Sequence, residues 1–396
     1  MKILAIGGCG SMGRYALKAA QHFDALDEII IADINAESAA SFAATLNNKV
    51  SSMQLDVSDD QALKQAMENI DIVVNTCGPF FKFGEPILSA AISSGCHYLD
   101  ICDDWEPTIE MMKLDSQAKS AGISATIGLG ASPGLTNLMA LIAIRELDNV
   151  TKVYTGWDVG AATIDETAKQ QSTNAAMLHA VEQMTGKVKI YQDSAYKMVK
   201  PLQAINVEYP GLPNFAGNIF GHPEAVTFPH YFSELKDCIN LAHGGSLDSI
   251  IIKALTGLVN IGFLGKEKAS TLFSWLESQE SHQKKPNAND HLPSMYGFAH
   301  GSKNGVPASV GVCIMNDDDS LDRIGRGEIT GIPLACGIKM LAEGKINEAG
   351  VLAPEAGHID PHDFISDVLD EISKFLNLPL GNFEENISIT RSWQSN

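Results

Sequence analysis

The sequence lacks a basic cluster, a membrane-length apolar run and a paired-cysteine framework. Against 48 Asp and Glu it sets only 28 Lys and Arg over 396 residues, a formal net charge of −20. Its largest basic cluster is Lys284-Lys285, too little to offset repulsion from a phosphate backbone, so nucleic acid is not an expected partner. The longest apolar stretches run from Leu135 to Ile144 and from Ile250 to Leu264, the second interrupted by Lys253 and Asn260. Both fall below the roughly 20 apolar residues that span a bilayer and read as core helices, so no membrane partner is expected. Seven scattered cysteines, Cys9, Cys77, Cys96, Cys102, Cys238, Cys313 and Cys336, are odd in number, as reduced thiols would be. Cys96-His97 and Cys102 lack zinc-finger spacing, so no metal site is expected. The N-terminus runs directly into a strand-like segment with no secretory leader, and a cytoplasmic location is expected. There is no H-E-x-x-H and no Walker lysine, so zinc-protease and NTPase chemistry lack support.

What is present is alternation. Apolar runs KILAIG (2–7), EIIIAD (28–33), VSSMQLDV (50–57), IDIVVNT (70–76), HYLDI (97–101) and ISATIG (123–128) are separated by helix-like segments. That pattern predicts an α/β domain with a parallel sheet, its strands apolar throughout because both faces are covered. After Glu146 it gives way to KVYTGWDVG (152–160), KVKIYQ (187–192) and SVGVCIM (309–315), with polar turns between them, so a second fold begins there. The polar stretch 279–293 reads as an exposed connection, and Asp317-Asp318-Asp319 as a solvated hairpin tip.

Directly after the first apolar run stand Gly8, Gly10 and Gly13, the spacing G-x-G-x-x-G, and Asp33 closes the next strand twenty residues after Gly13. In a strand-to-helix context this is a dinucleotide-binding fingerprint. The glycines allow a tight turn, approach of backbone to a pyrophosphate and close helix–strand packing. The helix start at Ser11 and Met12 offers unpaired N–H groups and a positive dipole end. A carboxylate at Asp33 suits the two ribose hydroxyls and repels a 2′-phosphate, so NAD is expected over NADP. Arg14 is either a phosphate contact or a solvated helix-surface residue. Asp56-Val57 follows the third strand, where a side chain could meet the adenine edge or precede a helix cap. Asn75, Thr76, Cys77, Gly78, Pro79 and Phe80 follow the fourth, where backbone should pass the nicotinamide ribose.

GGCGSMG, VVNTCGPF, GCHYLDICDDW and GLGASPGLTN, in that order, resemble the saccharopine dehydrogenase family, which includes lysine and carboxynorspermidine dehydrogenases. FGHPEAVTFP (220–229), ITGIPLACGIKMLAEGKI (329–346) and GVLAPEAGHIDPHDF (350–364) extend the resemblance over nearly the whole chain. It implies a Rossmann dinucleotide-binding domain (1–148), a substrate and dimerisation α/β domain on a mostly antiparallel sheet (149–325), and a C-terminal helical return packing on the Rossmann domain (326–396). Saccharopine-forming members commonly carry Asp in the turn G-x-D-P-G, where this chain has Ser132. A partner for a substrate ammonium is thereby lost, and the substrate is left open.

The implied reaction is hydride transfer between a nicotinamide cofactor and the C–N bond of an amino acid or its imine adduct, in a homodimer. Such chemistry needs a proton-accepting group. Asp103, beyond the fifth strand in DICDDW, is the first candidate for a substrate-facing carboxylate, or else the N-cap of a helix near Glu106-Pro107. His97, at the same strand, is a second candidate or a satisfied core histidine. His222 and Glu224 in GHPEAV are candidates from the second domain, or a rigid turn. Lysine dehydrogenase-like or carboxynorspermidine dehydrogenase-like activity is the alternative within the enzyme class, and a non-catalytic NAD-binding sensor or scaffold the alternative outside it.

Overall fold

The computed structural model describes residues 1–159, 180–244, 250–279, 292–314 and 324–393. Most of the polar stretch 279–293, and Asp317 to Asp319, lie outside the described residues. Six strands fall on the six apolar runs of the first third: β1 (Lys2–Ile6), β2 (Glu28–Asp33), β3 (Val50–Gln54), β4 (Ile72–Asn75), β5 (His97–Asp100) and β6 (Ser124–Thr126). Eight more follow: β7 (Asn149–Asp158), β8 (Val188–Gln192), β9 (Ala195–Val199), β10 (Ala204–Val207), β11 (Phe215–Phe220), β12 (Asp237–His243), β13 (Met295–Lys303) and β14 (Val306–Ile314). Near the C-terminus come β15 (Gly350–Leu352) and β16 (Ile387–Trp393).

These strands form two sheets in two compact units, residues 1–138 with 326–383 and residues 139–325 with 384–396. The first sheet runs β15-β6-β5-β4-β1-β2-β3, parallel at every pair. Its first six strands have the doubly wound order in which ligands bind outside the carboxyl edge, where the order reverses between β1 and β4. Ile72, Val73, Val74 and Asn75 of β4 are all buried, as expected of a strand covered on both faces. The second sheet runs β10-β11-β12-β7-β13-β14-β16, with β8 on β12 and β9 on β8. Only its β12–β7 pair is parallel, and the others are antiparallel.

The unit boundaries differ from those read in the sequence. The first division falls inside the helix Leu135–Arg145, not at 148/149, because that helix continues unbroken past the last β/α repeat. The C-terminal segment is also more than a helical return. β15 extends the first sheet, pairing Gly350 with Ser124 and Leu352 with Thr126, and β16 joins the second sheet beside β14. Three residues are too few to announce a strand, and β16 stands alone after a helical stretch, so neither carried a repeat to read.

The helix Arg326–Ala342 does pack within the first unit, against α1 (Ser11–Ala20). Two glycines allow that closeness. A Cβ on Gly331 would stand 2.7 Å from the Met12 carbonyl oxygen, and one on Gly327 would run into the Tyr15 ring. The helix that carries the glycine loop is thus seated directly by residues more than three hundred positions away in the chain.

Candidate cofactor and substrate site

β1 ends in the glycine loop and α1 begins at Ser11, with Gly10 as N-cap in an extended conformation. Gly10 has no side chain to cap this helix start, which leaves the first N–H groups to an anion. The three motif glycines have different work. A Cβ on Gly8 would stand 2.9 Å from Leu17 and 3.0 Å from Ala5, and one on Gly13 would stand 2.8 Å from both the Gly8 Cα and the Thr76 hydroxyl. Those two are needed for the protein's own packing. A Cβ on Gly10 would meet only the Gly7 carbonyl oxygen, at 3.1 Å, so the bare backbone there faces away from the fold. That is where a pyrophosphate would approach, and the residues fit a dinucleotide.

Asp33 closes β2 beside this loop. Its Oδ1 accepts from the Asn35 amide at 2.9 Å and its Oδ2 from the Cys9 thiol at 3.0 Å. Each oxygen keeps a further lone pair, so a carboxylate held in place stands beside the loop with acceptor capacity to spare. Burial, and then the hydrogen bond to Asp33, push the Cys9 thiol up to about 12, which keeps it protonated and donating. Arg14 is drawn back from solvent: its Nε donates to the Cys9 carbonyl at 2.6 Å and its guanidinium lies 4.5 Å from the centre of the Phe42 ring. Asp56 is exposed and accepts from the Ser58 amide and hydroxyl at 2.9 and 2.6 Å, which hold its carboxyl below the usual range. The cap of the following helix, Asp60–Ala66, is Asp59, so Asp56 has no cap role. Val57 is half-buried next to it.

Beyond β4, the Thr76-Cys77 backbone runs against the glycine loop. A Cβ on Gly7 would stand 2.9 Å from the Cys77 Cα, and Gly78 has open space around it. Pro79 caps the helix Phe80–Ser94, and burial pushes the half-buried Cys77 thiol up to about 11. Asn75 is wholly buried, and its amide is engaged inside the protein. Its Oδ1 accepts from the Cys77 amide at 2.9 Å and its Nδ2 donates to the Tyr98 hydroxyl at 2.9 Å. It would therefore act on a cofactor through the loop it holds.

The acids after β5 separate by position. The helix Trp105–Met112 takes Asp104 as its N-cap, so the cap role considered for Asp103 belongs to its neighbour, and Asp103 stands half-buried in the loop at the carboxyl edge. The helix begins one residue before Glu106-Pro107, which shifts the cap accordingly. His97 opens β5 at the other end of the strand. Its Nδ1 accepts from the Ser124 amide at 3.0 Å, and burial lowers its affinity for a proton. The structure does not bring His97 to the loops that hold Asp103, and it stands half-buried at the opposite end of the strand.

In the second unit, His222 and Glu224 are brought together but enclosed. Nδ1 of His222 lies 3.8 Å from Oε2 of Glu224, and both side chains are buried. The Trp157 ring stacks on His222 at 5.7 Å and 25°, with the Phe220 ring edge-on at 5.4 Å. Asn240 donates to the other Glu224 oxygen at 3.0 Å and to the Thr155 hydroxyl at 2.9 Å. The two side chains belong to an interior polar cluster that ties β7, β11 and β12 together.

The comparisons with known proteins bear on the first unit most directly. A family model described as the saccharopine dehydrogenase NADP binding domain matches residues 3–126. Over those residues the chain is similar to the saccharopine dehydrogenase family. Carboxyaminopropylagmatine dehydrogenase of Synechocystis sp. is 22% identical over 387 residues, covering 92% of this chain and 94% of that protein. The NADP(+), L-glutamate-forming saccharopine dehydrogenase of Pyricularia oryzae is 23% identical over 269 residues, covering 65% of this chain and 57% of that protein. The apo L-Glu-forming saccharopine dehydrogenase of Saccharomyces cerevisiae has the same fold, with a TM-score of 0.61 at 15% identity and 99% of both chains covered. Residues 3–126 thus resemble a nicotinamide dinucleotide-binding domain, and among the described residues no helix is long and apolar enough to cross a membrane.

Two residues to which composition and spacing gave no role are Tyr98 and Asp100. Both are wholly buried on β5, beside Asn75 on β4. The signal was present as an Asn ending IVVN and an Asp ending HYLD. It acquires meaning only once the register sets Asn75 opposite Asp100.

Proposed function

We propose that this protein is an NAD(H)-dependent oxidoreductase acting on the C–N bond of an amino acid or its imine adduct. The observation that carries the reading is the uncapped start of α1, with Gly10 bare toward the outside and the Asp33 carboxylate held beside it. When bound, the nicotinamide would supply the hydride acceptor or donor. The chain's share is to hold the pyrophosphate on the first turn of α1, anchor the ribose through Asp33, and keep the substrate carbon against the ring. Asp103 is the proposed proton-accepting carboxylate. The reading assigns His222 and Glu224 to bracing the second unit, in keeping with their burial, and leaves His97 out of the chemistry. The relative matched along most of its length is named for carboxyaminopropylagmatine, which favours an aminopropyl-bearing amine among the possible substrates. A cytoplasmic homodimer is part of the same proposal. Screening amines with aldehydes and oxo acids for NADH consumption tests it, and saturable turnover separates an enzyme from a sensor.

The preference for NAD is a proposal against the name of the matched domain, which is NADP-binding. Two oriented oxygens of Asp33 suit a ribose diol and would meet a 2′-phosphate with like charge. Arg14, already engaged by the Cys9 carbonyl and Phe42, is the residue an NADP reading would rest on. Asp33→Ser is expected to move the NADPH-to-NADH affinity ratio toward NADPH by about tenfold or more. Calorimetry that finds the native protein already preferring NADPH overturns this choice.

A further inference from the structure

At the carboxyl edge of the first sheet, three neighbouring strands pass into loops, and one buried network receives an amide from each loop. Cys77 N–H donates to Asn75 Oδ1 at 2.9 Å after β4, Cys102 N–H to Asp100 Oδ1 at 3.0 Å after β5, and Gly128 N–H to the same Asp100 oxygen at 2.7 Å after β6. The two halves are joined through a single hydroxyl. Asn75 Nδ2 donates to Tyr98 OH, which donates to Asp100 Oδ2, both at 2.9 Å. Register places Asn75 opposite Asp100, and alternation puts Tyr98 on the same face. The three side chains are wholly buried. The Asp100 backbone takes part as well, its carbonyl accepting from the Leu129 amide at 2.8 Å.

We propose that Asp100, linked through Tyr98 to Asn75, is a positioning residue that sets the loops after β4, β5 and β6 as one unit and so shapes the place of the nicotinamide half of the cofactor. The inference rests on the reading that these loops line that half. Burying a carboxylate, a phenol and an amide in the interior of a sheet is costly, and apolar residues of like volume often serve stability as well or better. Burial does raise the Asp100 carboxyl, to about 6, against the amide and hydroxyl bonds that favour its charged form. What the polar set adds is geometry: three loop amides fixed to one another at the edge where the sheet meets its ligand. The adenosine half depends on other elements, the glycine loop and Asp33, which the network meets through the Cys77 backbone beside Gly7.

That division supplies the test. Tyr98→Phe keeps the ring in the core and removes only the hydroxyl joining the two halves. Calorimetry well above pH 6 compares its affinity for NADH with that for ADP-ribose, which lacks the nicotinamide, alongside the melting temperature. NADH binding is expected to weaken about tenfold, the scale of one net hydrogen bond, with ADP-ribose binding within about twofold of native. Equal loss for both ligands, or no loss for either in a folded variant, overturns the proposal. Asn75→Ala, which frees the Cys77 amide, gives the same comparison should Tyr98→Phe fail to fold. A native protein that binds neither NADH nor ADP-ribose would instead refute the underlying cofactor reading.

Discussion

Replacing Gly10 with Val is expected to weaken NADH binding by about 100-fold or more while the protein retains a native melting transition. Gly10 has an extended backbone that any L-residue adopts, and an added Cβ would meet only the Gly7 carbonyl oxygen, at 3.1 Å. The new side chain therefore fills the space outside the first turn of α1, which a pyrophosphate must enter to reach the helix N–H groups. The same substitution at Gly13 gives a contrasting result. There the Cβ would stand 2.8 Å from the Gly8 Cα, so the loop itself would have to shift and stability would fall with affinity. Fluorescence titration and thermal melts of the two variants separate the effects. Native NADH affinity in folded Gly10→Val would remove the cofactor from this loop.

Asp103→Asn carries the second large effect. If Asp103 accepts the substrate's proton, the neutral isostere should lower kcat by about 10²–10⁴-fold, while NADH Kd and melting temperature stay near native. The structure sharpens the test because the cap of the helix Trp105–Met112 is Asp104. Loss of a cap cannot then be confused with loss of chemistry, because Asp103 does not occupy the cap position and Asp104, which does, makes no side-chain hydrogen bond to the helix start. Near-native kcat in Asp103→Asn would reject Asp103 as the proton acceptor.

Much of the first unit was legible because each of its signals is local. KILAIG passes into the glycine loop and EIIIAD ends in Asp33, so strand, turn, helix and acid lie within one β/α repeat. The orientation of Asp33 was not legible, since it depends on the thiol at Cys9, twenty-four residues earlier in the chain. Longer separations hid more. Gly331 reads as an unremarkable helix glycine until α1 is found against it, and Gly350 to Leu352 become a strand only because β6 offers an edge. His97 shows the opposite error. Its place in an apolar run suggested the crevice, but the run begins at His97, and position along the strand, not membership of it, decides which residues reach the carboxyl edge. For His222 and Glu224, adjacency in sequence did predict adjacency in space. Their enclosure arises from Trp157, Phe220 and Asn240, which three different strands supply.

Isotope transfer follows the hydride to the carbon that receives it and so reads out directly whether that carbon bears nitrogen. NADH deuterated at the transferring position of nicotinamide C4 is incubated with the protein and the amine–carbonyl pair that best consumes it, and the product is read by mass spectrometry and NMR. One deuterium is expected, bound to the carbon of the new C–N bond and delivered to a single face. Deuterium found elsewhere in the product, or retained entirely in NADH with every pair offered, would contradict hydride transfer to a carbon that bears nitrogen.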